Sequence, residues 1–407
     1  KHSRQVNMHA VISLWLAVAS CAIFAVSARS SEGTSFVCSF PRTGDDFDAL
    51  IRLTSQSGSS VTIETASETR EVTVPAGGAV TESYPMSQRV TFGMENVGLI
   101  VTSDTPISVY LDQPSWELDS AMCRPIDAED TEFYTVNYLG ETITASLWPL
   151  SFYSVAASED DTSVTITDPS GDAVELNMNR FDVYSEDGAE GVGGSFIDFT
   201  GWHVVSDKPI SVFAGHGRVV FPDAFTNQYI HDAMPNFGEL TTSYTTFPVG
   251  FGGEDNGYIL RVLATVDGTE VTIADSGISE TINAGEFYEL DYGTSNSAFK
   301  VACSSPCYAV QFLAATFSQG GQLDTTVGGA MVPLTPDSAF TDDVLVAEPF
   351  KTNPDNNFGM LSIVANTYPV NEVYYNGENV NNLATWVAGT NDEYAYTTLP
   401  VPDGSMS

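Results

Sequence analysis

The segment Gly215-His216-Gly217 is the part of the chain whose residue types look most like a working site. An imidazole between two glycines can act as a general base or a metal ligand. The same residues also suit a tight turn in which His216 hydrogen-bonds the backbone, and that structural reading is preferred. Arg218 and His231 lie close by in sequence and complete a candidate binding loop. Carboxylate pairs such as Asp45-Asp46 and Asp160-Asp161 offer the raw material of acid–base chemistry, but 53 Asp+Glu would scatter such pairs anyway. The runs from Glu186 to Glu190 and from Asn353 to Asn357 present oxygen ligands suited to calcium, without the regular spacing of an EF-hand. No Gly-x-Ser-x-Gly elbow, His-Glu-x-x-His helix or Walker-type loop occurs. The expectation is a protein that is not an enzyme, with no catalytic residue, no resident metal and no cofactor, calcium being the one candidate ion. A glycan-acting sandwich enzyme with two carboxylates across a cleft is the remaining catalytic alternative.

The cysteines point to an oxidising compartment. Cys21 falls in an apolar segment that runs from Met8 to Ala28 and ends in small residues, the form of a secretory signal. Residues 1–7 read as leader or scar, and cleavage is expected after Ala28. A membrane anchor is the rival for this near-spanning run, but the small-residue end favours removal, after which no membrane span is expected. Four cysteines then remain, and an even count in a secreted chain suggests two disulfides. Cys303 and Cys307 flank a short loop between two strand-like runs, so a bridge there would pin a hairpin. That leaves Cys38 with Cys123. A zinc site at Cys303 and Cys307 lacks a second pair of ligands.

Composition narrows the partners. Lys+Arg number 14, the net charge is −39, and 43% of residues are hydrophobic. Phosphate binding needs clustered cations, so nucleic acid is excluded, and anionic membranes are disfavoured. The apolar fraction is enough for a buried core.

The elements that must position these residues repeat along the chain. Val61-Thr-Ile63, Val164-Thr-Ile166, Val271-Thr-Ile273 and Val373-Tyr-Tyr375 recur at 103, 107 and 102 residues. In phase with them come Pro106-Ile-Ser-Val109, Pro209-Ile-Ser-Val212 and Pro306-Cys-Tyr-Ala-Val310, and then Ala121-Met122, Ala233-Met234 and Ala330-Met331. Ordered motifs at one spacing mark tandem units of about 100 residues. Within a unit the pattern is β: Tyr258–Thr265, the hairpin signal Asp267-Gly268, the alternating Glu270–Ile273, and then three further strand-like runs. The expected fold is all-β, with sandwich-like units at 29–129, 130–238, 239–340 and 341–407 after a leader and signal at 1–28. A propeller with two blades per repeat is the alternative. In the first three units the Pro-led strand starts 45, 45 and 35 residues beyond the valine, and 34 residues follow Val373. The fourth unit is therefore expected to stop before its equivalent strand, with a natural half-repeat cap as the alternative.

Three stretches resemble the N-terminal domain of the IgGFc-binding protein family: Val204–His216, Phe152–Asp160 leading to Val164-Thr-Ile166, and Leu260–Thr265 with Asn283–Tyr288. The resemblance covers residues 130–335 best. It implies a secreted, mucus-associated role in adhesion, with an extracellular protein or glycoprotein as partner and immunoglobulin Fc as the partner that the family suggests. The family places a cysteine after the Gly-His element and another downstream; here Arg218 and Tyr229–Asp232 stand there, so one family disulfide is missing.

Overall fold

The computed structural model describes residues 31–42, 47–113, 119–140, 151–188, 197–219, 221, 228–247, 258–274, 276–291, 298–313, 330–340, 359–365, 370, 373–375, 378–388 and 394–401. Strands dominate, and among the described residues the helices are four three-residue 3-10 turns.

One long strand organises each of the first three units. In the first it is Leu99–Gln113. Its early half pairs with Gly33–Cys38 and Ser59–Glu64, and Thr69–Val74 lies beyond the latter. Its late half pairs with Ala49–Ser55 and Asp119–Cys123, and Gly78–Tyr84 lies beyond Ala49–Ser55. The seven-stranded sheet thus folds into two leaves that share a strand, a sandwich closing towards a barrel. Residues from both leaves, Val61, Ile63 and Val101 with Ile51, Leu53 and Val109, meet in one core. The third unit repeats the arrangement around Lys300–Leu313. In the second unit the long strand is broken into His203–Ser206 and Ile210–Val219, and the two leaves become separate sheets. A four-stranded blade is not the unit here, so the sandwich reading holds over the propeller.

The Ser-Asp-x-Pro element is the crossing point between leaves. Val61 pairs with Ser103 on one leaf, and Thr54 pairs with Ser108 on the other. Val164 with Ser206 and Ala157 with Ile210 match this in the second unit, as do Val271 with Cys303 and Ala264 with Cys307 in the third. The intervening residues bulge, and the proline has no N–H to give to a ladder. A polar side chain anchors each bulge. Asp104 Oδ1 accepts from the Ser60 N–H at 2.9 Å, Asp207 Oδ1 from Ser163 at 2.8 Å, and Ser304 Oγ from Glu270 at 2.9 Å.

Both expected disulfides form, Cys38–Cys123 and Cys303–Cys307. The second does not pin a hairpin. Both its cysteines lie in the single strand Lys300–Leu313, where the bridge spans the bulge at the crossing point. The fourth unit shows Gly359–Ala365 paired with Ala395–Val401, and Tyr374–Tyr375 paired with Glu378–Asn379. Val373 is half-buried there against Val370, Val380 and Trp386.

The Val-Thr-Ile triplets behave as period-two alternation demands. Val61, Ile63, Val164, Ile166, Val271 and Ile273 are buried, and the intervening threonines face outward, Thr62 and Thr165 each bonding a glutamate on the neighbouring strand. Val271→Ala should destabilise by about 1–3 kcal/mol in urea unfolding, as a core truncation. Loss of Cys38–Cys123, which closes a separation of 85 residues, should cost roughly 4–5 kcal/mol against about 2 kcal/mol for Cys303–Cys307, if unfolded-chain entropy governs both. Cys→Ala pairs compared by denaturant midpoint will test that order.

Candidate functional site

Where the units meet, strands are buried on both faces. In Tyr258–Ala264 all seven residues are buried. Tyr258, Leu260 and Val262 enter the third unit's own core. Ile259 and Leu263 point the other way, into the core of the second unit, together with Tyr308, Val310 and Phe312. Ser151–Ala157 is likewise buried throughout. Tyr153, Val155 and Ala157 serve its own unit, whereas Ala156 packs with Val37 and Ile100 of the first unit, and Ser154 Oγ meets Ser39 Oγ at 3.2 Å. The second and third units therefore each dock the outer face of their central leaf on the unit before them.

A strand is also passed along the chain. Gly93–Asn96, before the long strand of the first unit, pairs with Asp182–Ser185 at the edge of the second. Just beyond it, the Gly98 N–H donates to the Phe181 carbonyl at 2.8 Å. A Cβ on Gly98 would lie 3.0 Å from that carbonyl oxygen, so a side chain there would push the Phe181 backbone away by a few tenths of an ångström. Gly201, the equivalent in the second unit, comes so close to Gly285 of the third that a Cβ would sit 2.3 Å from the Gly285 carbonyl oxygen. At the next joint, the Tyr394 hydroxyl donates to the Ala298 carbonyl at 2.7 Å.

The first junction is polar and contains one of the histidines that the sequence brings to notice, His231. Asp119 Oδ2 accepts from the His231 N–H at 2.8 Å and pairs with His231 Nδ1 at 2.7 Å. Asp232 Oδ1 accepts from the N–H groups of Ala233 and Met122, at 2.8 and 3.2 Å. Burial pushes the Asp232 carboxyl up to about 7, against the opposing field of Arg124. Arg124 itself donates to the Ala233 carbonyl and pairs with Glu239 at 3.5 Å.

His216 does not sit in a turn. It lies within Ile210–Val219, between strands Ser151–Ala157 and Gln228–Ala233, because Gly215 lets the neighbouring backbone approach: a Cβ there would be 2.2 Å from the Ile230 carbonyl oxygen. The Arg218 N–H donates to His216 Nδ1 at 2.9 Å, so the neutral ring carries its proton on Nε2. Burial drives the imidazole down to about 3, with the Leu139 backbone pulling weakly the other way. His216 and His231 are brought onto paired strands, with Arg218 half-buried beside them, but both rings are enclosed. Tyr153 donates to Glu186 Oε2 at 2.8 Å; the acidic run's end at 189–190 and the whole of 353–357 lie outside the described residues.

Arg261 is the residue that sequence reasoning missed. Inside the second junction its guanidinium pairs with Asp198 at 2.6 Å and with Glu289 at 2.7 Å, and donates to Thr200 Oγ1 at 2.6 Å and to the Asn137 carbonyl. It stacks over Phe287 at 4.4 Å and Tyr138 at 5.2 Å. A lone arginine in the otherwise apolar run Tyr258–Ala264 was the available signal.

Fold and junctions together define a tandem β-sandwich protein whose units are locked into one another. The chain belongs to the IgGFc binding protein family, whose profile matches residues 119–407. It is 23% identical over 380 residues to the human IgGFc-binding protein, covering 88% of this chain and 6% of that protein's length. Among solved structures, it aligns over 91% of both chains with a Ca2+-stabilised adhesin that helps an Antarctic bacterium bind ice, at 12% identity and a TM-score of 0.13. It also aligns with a tetra-tandem repeat from the extending region of a large adhesion protein, at 12% identity and a TM-score of 0.10, over 90% of this chain and 98% of that one. At those scores neither says anything about this fold.

Arg261→Ala should destabilise by roughly 3 kcal/mol, since it leaves two carboxylates at a junction without their cation. Limited proteolysis between the second and third units should accelerate with it. The two titrating groups predict opposite slopes. His216 is neutral in the fold and charges when unfolded, so its contribution is intact above the ordinary histidine range and is lost as pH falls towards about 3. Asp232 is raised, so its contribution is intact below the ordinary carboxylate range and is lost as pH rises through about 7. Asp232→Asn, which can still accept from both N–H groups, should therefore raise Tm at pH 8 and change it little at pH 4.

Proposed function

We propose that this chain is a secreted, non-enzymatic binding and scaffold module that engages an extracellular protein or glycoprotein in an adhesive or mucus-type matrix. The family match over 119–407 carries this reading, because it joins the chain to proteins named for binding. Two disulfides suit an oxidising compartment. Among the described residues no helix is long and apolar enough to cross a membrane. The enclosed histidines fit structural roles, His231 between the first two units and His216 within the second, which leaves sheet edges and surface turns as the contact regions. Immunoglobulin Fc comes to this chain only from the name of its relative. The net charge of −39 favours one second reading, a calcium- or mineral-associated acidic matrix protein.

The test is binding of the purified chain to immobilised Fc fragment and to purified mucin, in parallel arms with and without calcium. Saturable binding in the calcium-free arm to at least one of them is expected. Binding to neither in either arm contradicts the proposal, and binding or thermal stabilisation seen only with calcium favours the second reading.

A further inference from the structure

The edge strand Gly78–Tyr84 of the first unit has the place that Asp182–Asp187 has in the second. Both pair with the central strand of their unit in the same register, Leu50 with Ser83 and Phe152 with Asp187. In the second unit the far side of this strand is filled by Gly93–Asn96, whose residues oppose Asp182–Ser185 one for one. In the first unit, among the described residues, Gly78–Tyr84 pairs on one side only, as Phe287–Asp291 does in the third. The turn before the strand sets the first unit apart. Gly77, Phe181 and Gly285 all have positive φ at this turn. Phe181 accepts from Gly98, and Gly285 lies against Gly201, but a Cβ added to Gly77 would meet nothing within 4 Å.

We infer that the edge Gly78–Thr81 is a strand-addition site that takes an extended, glycine-bearing segment of a partner protein, in the position that Gly93–Gly98 takes on the second unit. A sheet edge with free N–H and C=O groups is a template for an added strand. The same edge, once filled within this chain, shows the register and the tight fit around a glycine opposite the positive-φ residue. Arg70 blunts only the far end, where it donates to the Ser83 carbonyl at 2.9 Å and pairs with Glu82. A whole unit is not the occupant. Docking of a unit uses an apolar outer face, with Ile259, Leu263, Tyr308, Val310 and Phe312 in the third unit; the corresponding positions in the first unit hold Leu50, Thr54, Ser108, Tyr110 and Asp112, three of them polar and already buried. A single strand fits an edge without needing that face.

The inference rests on reading the chain as a binding module and names one of its contact regions. The probe is a synthetic peptide with the sequence of residues 90–98 and Gly93→Cys, offered to the full chain carrying Thr81→Cys under mild oxidation. Thr81 occupies the place of Ser185, which opposes Gly93. A mixed disulfide formed at least tenfold faster with Thr81→Cys than with Val80→Cys or with a scrambled peptide is expected. Gly98→Val in the peptide should abolish the preference. Equal trapping at both cysteines, trapping only when the cysteine is placed at Ser185, or a Thr81→Cys chain that instead crosslinks to a second copy of itself would each overturn it. Thr81→Pro, which removes an edge N–H, should weaken peptide binding while leaving Tm within a few degrees. Failure here with Fc or mucin binding intact sinks this site alone; trapping here with no binding to either sinks the functional reading alone.

Discussion

The rest of the structure depends on the burial of one strand from both sides. Tyr258–Ala264 and Ser151–Ala157 each serve two cores, their own and that of the preceding unit. A strand in that position loses its solvent face, so its alternation disappears and it reads as a continuous apolar run. Any polar residue on it must then find partners inside the junction. Arg261 does so with two carboxylates, a hydroxyl, a carbonyl and two rings, and Ser154 does so with Ser39. Passing Gly93–Asn96 to the next unit adds backbone hydrogen bonds to the same joint. The sheet of the second unit is thereby completed by a strand of the first.

That arrangement accounts for the chemistry at the junctions. A buried histidine and two partly exposed aspartates lie where the first two units meet, and desolvation there moves Asp232 towards neutrality, just as burial keeps His216 uncharged within the second unit. Enclosed titratable groups of this kind often mark active sites. Here Asp119, Asp232 and the Nδ1 atoms of His216 and His231 bond backbone groups and side chains of the adjoining strands, which fits a structural role.

Much of the fold was legible in the sequence because its signals are local and repeated. The Val-Thr-Ile triplets marked the inward faces and cysteine parity both bridges, whereas the Pro-led element, which looks like the start of a new strand, lies inside one long strand in the first and third units. What was not legible depends on contacts between distant residues. Cys303 and Cys307 look like the ends of a hairpin loop because a bulge within one strand and a turn between two use the same residues. Gly215-His216-Gly217 looks like a flexible loop because the need for Gly215 arises from a neighbouring strand, 15 residues on, whose Ile230 carbonyl lies against it. Arg261 looked like one residue of a motif, since its partners Asp198 and Asn137 lie 63 and 124 residues away. The family resemblance was visible over residues 130–335, and the match extends from 119 to 407.

The central claim is that the first three units are coupled into one cooperative body. Native-state hydrogen exchange on the intact chain tests it most directly, read at the amides of Ser151–Ala157 and Tyr258–Ala264 as low urea is added. If each strand belongs to two cores, both segments should open in the same global event, with one free energy and one urea dependence spanning all three units. Separate opening of the third unit, with its own smaller urea dependence and with the second unit still protected, would contradict the account.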